Sequence, residues 1–389
     1  MRYFGWLVFA VIFSQLTFAD TGLKSRIDNL LTPRFKNTRP GCAVGVSQGK
    51  KSLYEGYFGL ADIKNQKPIG PDTRFEINSD SKQFTGAAIA ILIQEGRLKE
   101  TDSVCKYFSE WKAKGKCIFS GLTISDLIHH TSGLPEYNDL VSNERNKISE
   151  TEVLRRVSIY VAHKGRKFKP GTLFQYNNTN YLLLAVLVRK ISTRNLEDFA
   201  KEEIFTPLKM KQTEFFTQHA KGLPGLAKGY SVNASGGRVR SDESQSDIIG
   251  DGGVVSNLHD LMIWQNFLAT DQIGNRKGIA TIMRTPGKKN YKPGGAYGFG
   301  IRLSQYKNHP IEWHAGEFAG YTSQITRFTD RNLSIIVLCN LAAPDNTPYD
   351  PGVITDEVAD LIFSVPQLPE SPGSPHIRLN TRDAAEVAD

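Results

Sequence analysis

Near both ends of the chain, short apolar runs are broken by polar turns. Cys42-Ala43-Val44-Gly45-Val46 is followed by Gly49-Lys50-Lys51 and then by Ser52 to Phe58, which predicts a β-hairpin. Ser323 to Phe328 and Leu333 to Leu338 flank Thr329-Asp330-Arg331-Asn332 and predict a second one. Between these ends the apolar spacing becomes helical, at Phe84 to Glu95 with Gly96 as terminator, Ser125 to His129, Tyr181 to Ile191 and Leu258 to Leu268. Strands at both ends and helices between them predict an α+β fold. Its antiparallel sheet is built from the two ends of the chain and flanked by helices, with a mostly helical subdomain inserted at roughly residues 98–250.

The first nineteen residues break this pattern. Arg2 precedes the apolar stretch Phe4 to Phe18, and Ala19 with Thr17 supplies small residues for cleavage before Asp20, so residues 1–19 read as a secretory signal peptide. The remainder, residues 20–364, reads as one domain, and the Pro- and Ser-rich stretch that follows makes 365–389 a flexible tail. Export places the chain in the periplasm or outside the cell, with no stable membrane insertion once the leader is removed. An oxidising compartment also makes the four cysteines candidates for disulfides. Cys105 and Cys117 bracket a short polar loop, whose closure stabilises by roughly 3 kcal/mol. Cys42 and Cys339 pair only if their strands lie side by side. Cysteine and histidine spacing shows no metal site, and no cofactor is expected. The net charge of +8 is spread along the chain rather than gathered in one basic run, so no nucleic-acid partner is expected.

Ser79-Asp80-Ser81-Lys82 opens the apolar run from Phe84. Residues three apart share a helix face, which sets the Lys82 amine beside the Ser79 hydroxyl at a helix N-terminus. An alcohol needs such a neighbour to take its proton. Ser47/Lys50, Ser103/Lys106, Ser109/Lys112 and Ser304/Lys307 repeat the spacing without the buried helix, and taken alone Ser79 also reads as a helix cap. Gly45-Val46-Ser47-Gln48-Gly49 matches the nucleophile-elbow pattern, but a strand rather than a helix leaves it, so Ser47 reads as a hairpin residue. Tyr176 and Asn178 stand two apart where a loop enters the helix from Tyr181. A phenol near a cation can move a proton, and an amide can position a lysine or a carbonyl. His314-Ala315-Gly316 follows a strand-like segment, and the N–H of Glu317 just beyond it could join that of Ser79 as an oxyanion hole.

In this order, Ser79-x-x-Lys82, Tyr176-x-Asn178 and His314-x-Gly316 resemble the three active-site elements of the penicillin-recognising serine hydrolases, in the class C β-lactamase-like branch. His130-Thr131-Ser132-Gly133-Leu134-Pro135, the stretch from Gly250 to Ser256 and Tyr297-Gly298-Phe299-Gly300 add to the likeness. The resemblance implies a cleft between sheet and helical subdomain, and acylation of Ser79 by an amide or ester with hydrolysis by water. Ser79, Lys82 and Tyr176 would be catalytic; Asn178, His314, Gly316 and Glu317 would bind substrate. Substrates would be D-amino-acid peptides, small esters or β-lactams, with no metal. His314 stands where β-lactamases carry lysine, and an imidazole supplies only partial charge at neutral pH. The resemblance therefore points to the esterase and D-alanyl carboxypeptidase type rather than to efficient β-lactam turnover. The alternative is a catalytically silent protein that binds cell-wall peptide on the same fold.

Overall fold

The computed structural model describes residues 22–141, 148–216, 223–232, 239–242, 248–342 and 346–364. Both the leader and the tail expected from sequence lie outside them. Seven antiparallel strands form the central sheet: β1 (Cys42–Gln48), β2 (Lys51–Phe58), β3 (Ala296–Tyr297), β4 (Arg302–Tyr306), β5 (His309–Phe318), β6 (Tyr321–Phe328) and β7 (Leu333–Cys339). Their order is β3-β4-β5-β6-β7-β1-β2, so the two ends of the chain join where β1 pairs with β7. The fold is α+β. In that pairing Cys42 stands opposite Cys339 and is bonded to it; Cys105 is bonded to Cys117.

β7 is buried on both faces because each face has its own cover. Val44, Val46, Ile335 and Val337 point to one side, against the helical segment 22–31 and the helix Pro351–Phe363. Ala43, Ile336 and Leu338 point to the other, where the larger core lies. A strand exposes alternate residues to opposite faces, so a one-residue slip would exchange the two sets. Gly45 belongs to the second set, and a Cβ there would stand 2.4 Å from Met262 Cε.

Four helices matter for the larger core: α1 (Lys82–Gln94), α2 (Glu150–Lys164), α3 (Asn178–Ser192) and α4 (Leu258–Thr270). α1 is apolar all round and runs through the core, buried from Lys82 to Leu92. It stops at Gly96, which takes φ +70°; Gly96 N donates to Ile93 O and Arg97 N to Leu92 O, the pairing that closes a helix on a left-handed glycine. α3 starts at Asn177, whose side chain accepts from Thr179 N. The cap is thus Asn177, which leaves the Asn178 side chain available for another contact. Ser47 is buried within β1 beside an irregularity of register with β2, and no helix follows it.

Candidate active site

A short 3₁₀ turn, Asn78–Ser81, carries Ser79 into the first residue of α1. Asn78 takes φ +48°, a conformation that asparagine tolerates better than most residues, and its amide donates to Tyr321 O at 3.1 Å. The turn is thereby tied to the connection between β5 and β6. Ser79 is partly exposed, whereas Lys82 is wholly buried. The Lys82 amine is 3.0 Å from Ser79 Oγ, 2.8 Å from Asn178 Oδ1 and 2.6 Å from the Asp251 carbonyl oxygen. The last two atoms can only accept, so two N–H bonds are committed to them. The third position of the nitrogen, proton or lone pair, faces the serine hydroxyl.

Tyr176 lies beside this pair, its ring centre 4.9 Å from Lys82 Nζ. Its hydroxyl is buried without a hydrogen bond of full geometry. Burial pushes its pKa well above the usual tyrosine value and the neighbouring Tyr297 adds to this, while the Ser79 hydroxyl and the Arg302 charge act in the opposite sense. The group is therefore a neutral phenol at neutral pH. His130 holds the tyrosine's segment in place. It is buried at φ +57°, lies with its ring centre 4.5 Å from that of Tyr176 and tilted by 38°, and accepts from Asn177 N through Nδ1 at 3.1 Å. Asn178 N donates to Glu136 Oε2 at 2.7 Å, and Tyr137 donates to Asp251 Oδ2 at 2.9 Å.

β5 supplies the opposite wall. Its His314 is 1% exposed, with Nε2 3.1 Å from the Tyr297 hydroxyl and Nδ1 3.0 Å from Ala315 N. Burial, then the charges of Arg302 and Lys82, hold its pKa well below 6.5. The partial positive charge expected of this imidazole at neutral pH is thus corrected to none. Gly316 lets the strand approach the Ser79 turn, since a Cβ there would lie 2.2 Å from Ile77 O and 3.0 Å from Asn78 Cβ. β4 pairs with β5 only from His309 to Trp313, so among the described residues no strand covers that edge from His314 to Phe318. Ala315 N turns toward the His314 ring on this edge, and strand alternation gives the Glu317 backbone the same direction.

The structure therefore brings Ser79, Lys82 and Asn178 into direct contact, sets Tyr176 against them, and lays Gly316 over the serine turn with Glu317 one residue further along. Sequence analysis singled out neither Asp251, Glu136 and Tyr137 nor Tyr297, His130 and Arg302 as site residues. Asp251, Tyr297 and His130 stand in the supporting stretches noted above; nothing local in the sequence marks Glu136, Tyr137 or Arg302. Among the described residues no cluster of His, Cys, Asp and Glu could hold a metal.

An antiparallel sheet one of whose inner strands passes a Ser-x-x-Lys helix start, with Tyr-x-Asn at a second helix start, is the arrangement of the penicillin-recognising serine hydrolases, class C-like branch. The sequence model of the Beta-lactamase family matches residues 24–359, and the chain belongs to that family. It is similar to penicillin-binding protein 4* of Bacillus subtilis, with 28% identity over 345 residues covering 85% of this chain and 74% of that protein. It is also similar to the D-aminopeptidase of Brucella anthropi, with 27% identity over 310 residues covering 77% of this chain and 56% of the relative. The chain spans 56% of the length of that D-aminopeptidase and 61% of that of protein flp of Staphylococcus aureus, to which it is 28% identical over 323 residues. Among solved structures, the D-amino acid amidase of Ochrobactrum anthropi superposes with a TM-score of 0.71 at 22% identity, covering 90% of this chain and 99% of that one. The octameric penicillin-binding protein homologue of Pyrococcus abyssi gives 0.72 at 24% identity, covering 88% and 77%. Both likenesses are of fold.

Two substitutions test this geometry. In Gly316→Ala the added methyl meets backbone rather than a flexible side chain, so β5 must move off the serine turn. Turnover of an ester substrate should fall by about 100-fold, since displacements near 1 Å at a reacting centre cost that much. Asp80, beside Ser79, is fully buried and accepts from Ser323 Oγ at 2.7 Å; burial raises its carboxyl from 3.8 to about 7, with Ser323, Gln83 and Lys82 opposing. The folded chain thus holds this proton more tightly than the unfolded chain. Stability falls as pH rises from about 4 through about 7 and then levels. Urea unfolding across that range should show the fall in the wild type, and a shallower one in Asp80→Asn.

Proposed function

We propose that this protein is an exported serine acyl hydrolase that works through an acyl-enzyme on Ser79, with D-amino-acid amides and peptides or small esters as substrates. The observation that carries this reading is the Lys82 amine, buried and 3.0 Å from a partly exposed serine hydroxyl. Lys82 takes the Ser79 proton as Oγ bonds to the substrate carbonyl carbon. The backbone N–H groups of Ser79 and Glu317 receive the charge that develops on the carbonyl oxygen. Collapse expels the leaving group, and Tyr176, held as a neutral phenol, gives it a proton. Water then attacks the acyl-Ser79 carbon by the reverse proton path and frees the acid.

The neutral His314 supports the esterase and D-amino-acid peptidase type over an efficient β-lactamase, because it supplies no cation at the position of the third motif. Similarity to a D-aminopeptidase points the same way. Export is supported by the cysteines, all four of which are in disulfides, a state favoured outside the reducing cytosol. No helix among the described residues is long and apolar enough to cross a membrane.

A fluorophosphonate or fluorescent penicillin probe should label the wild type and Ser47→Ala but not Ser79→Ala. Failure to label the wild type would favour the silent peptide-binding alternative, and equal labelling of both variants would remove Ser79 from the mechanism. Tyr176→Phe separates the proton steps. An anilide or peptide leaving group needs a proton, whereas p-nitrophenolate departs without one. Turnover of the amide should fall by about 100- to 10,000-fold and that of the p-nitrophenyl ester by much less.

A further inference from the structure

Asp80 follows the serine in its turn and, unlike Ser79, is cut off from water. Its two carboxyl oxygens meet different partners. Oδ1 lies 3.3 Å from Gln83 Nε2, and the Gln83 amide is held that way round because its oxygen accepts from Trp264 Nε1 of α4 at 2.9 Å. Oδ1 therefore faces a donor. Oδ2 lies 2.7 Å from Ser323 Oγ of β6, and the same hydroxyl is 3.0 Å from Ile77 O, which also accepts from Asp80 N. A serine hydroxyl carries one hydrogen, and a carbonyl oxygen has none to give. With Asp80 ionised, Ser323 donates to it and leaves the Ile77 contact without a hydrogen. With Asp80 protonated on Oδ2, the acid donates to Ser323 and Ser323 donates to Ile77, so both contacts become hydrogen bonds. An acceptor on one oxygen and a donor on the other is the pattern of a carboxylic acid, not of a symmetric carboxylate.

Burial acts in the same sense and raises this carboxyl to about 7. Lys82, on the adjoining helix, acts on Asp80 through its charge, while its amine is turned to Ser79, Asn178 and the Asp251 carbonyl. Tyr297 of β3 feels the Asp80 charge and is held as a neutral phenol. β6 faces Asp80 with Ser323; its Tyr321 and Arg327 are bonded elsewhere, to Ala227 O and Glu312. β5 sets Gly316 opposite Ser323, its His314 is neutral, its Glu312 is paired with Arg284 and Arg327, and its Glu317 is exposed. The strand Val254–Ser256, which also packs on the turn, has no titratable side chain.

We propose that Asp80 is a positioning residue that works as a neutral carboxylic acid, its proton completing a chain of hydrogen bonds from Trp264 through Gln83 and Ser323 to Ile77 O that fixes the Ser79 turn on β6. The inference rests on the serine acyl-hydrolase reading and adds a condition to it: the competent site holds Asp80 protonated and Lys82 unprotonated. Loss of the Asp80 proton breaks the chain at Ser323. The carboxylate so formed also favours the ammonium form of Lys82, which cannot take a proton from Ser79.

Turnover of an uncharged p-nitrophenyl ester against pH tests the condition. Wild-type kcat/KM should rise as Lys82 loses its proton and fall at higher pH as Asp80 loses its own, the two limbs belonging to the coupled pair. One pH unit beyond the upper midpoint about a tenth of the maximum should remain. The amide of Asp80→Asn donates to Ser323 and accepts from Gln83 with no proton to lose, so this variant should keep the rising limb and lack the falling one. Asp80→Ala, checked for folding by circular dichroism, has neither bond and should lose about 100-fold in kcat at every pH. Infrared difference spectra between the wild type and Asp80→Asn read the proton directly. At about pH 5, where an ordinary aspartate is ionised, they should show the C=O stretch of a carboxylic acid, replaced by carboxylate bands as pH rises. A falling limb that survives Asp80→Asn, an Asp80→Asn as poor as Asp80→Ala, an Asp80→Ala as active as the wild type, or carboxylate bands alone at about pH 5 each overturns the proposal. The infrared reading does not depend on turnover. Wild-type chain that hydrolyses no ester, or hydrolysis that survives Ser79→Ala, defeats the hydrolase reading, while the spectra still decide where the proton sits.

Discussion

A lysine side chain with no exposure to water organises the cleft. An amine in such a place costs several kcal/mol unless its hydrogen-bonding capacity is used. Lys82 uses it on Ser79 in its own turn, Asn178 at the start of a second helix and the carbonyl of Asp251. These atoms come from three separate parts of the chain, 3, 96 and 169 residues from the lysine. Burying α1 therefore requires that the helical insertion and the segment around Asp251 close over it. The constraint that makes the fold specific also places an amine against an alcohol.

The neighbouring contacts keep that arrangement rigid. Asp251 accepts from Tyr137, Asn178 N donates to Glu136, and His130 props the Tyr176 segment through Asn177. On the sheet side, Ser323 Oγ lies 3.0 Å from Ile77 O and 2.7 Å from Asp80, while Asn78 donates to Tyr321 O. The serine turn is thus attached to β6 as well as to α1, and Gly316 allows β5 to pass over it at backbone distance. An alcohol held from two layers needs little reorganisation to act as the nucleophile of the reaction proposed for it.

Electrostatically the cleft divides its labour. His314 and His130 are kept neutral by burial, Tyr176 is kept protonated, and the positive charge at the edge of the site resides on Arg302. A chain that replaces the lysine of the third motif by a buried histidine has no cation at that position.

What sequence alone determined is local or ordered along the chain. The two-residue alternation of Val44/Val46 and Ile335/Val337, the all-apolar run after Lys82 and the glycine stop at Gly96 follow from backbone geometry, while the three motifs in order were legible through a family resemblance. That geometry repeats over a few residues, so it is written in neighbouring letters. The tertiary structure decided the rest. Whether Cys42 meets Cys339 depends on strands nearly three hundred residues apart. That Asn177 rather than Asn178 caps α3 depends on which side chain Lys82 claims. The charge of His314 and the ring contacts of Arg302 depend on what packs around them, because a pKa or a contact belongs to an environment and not to a residue.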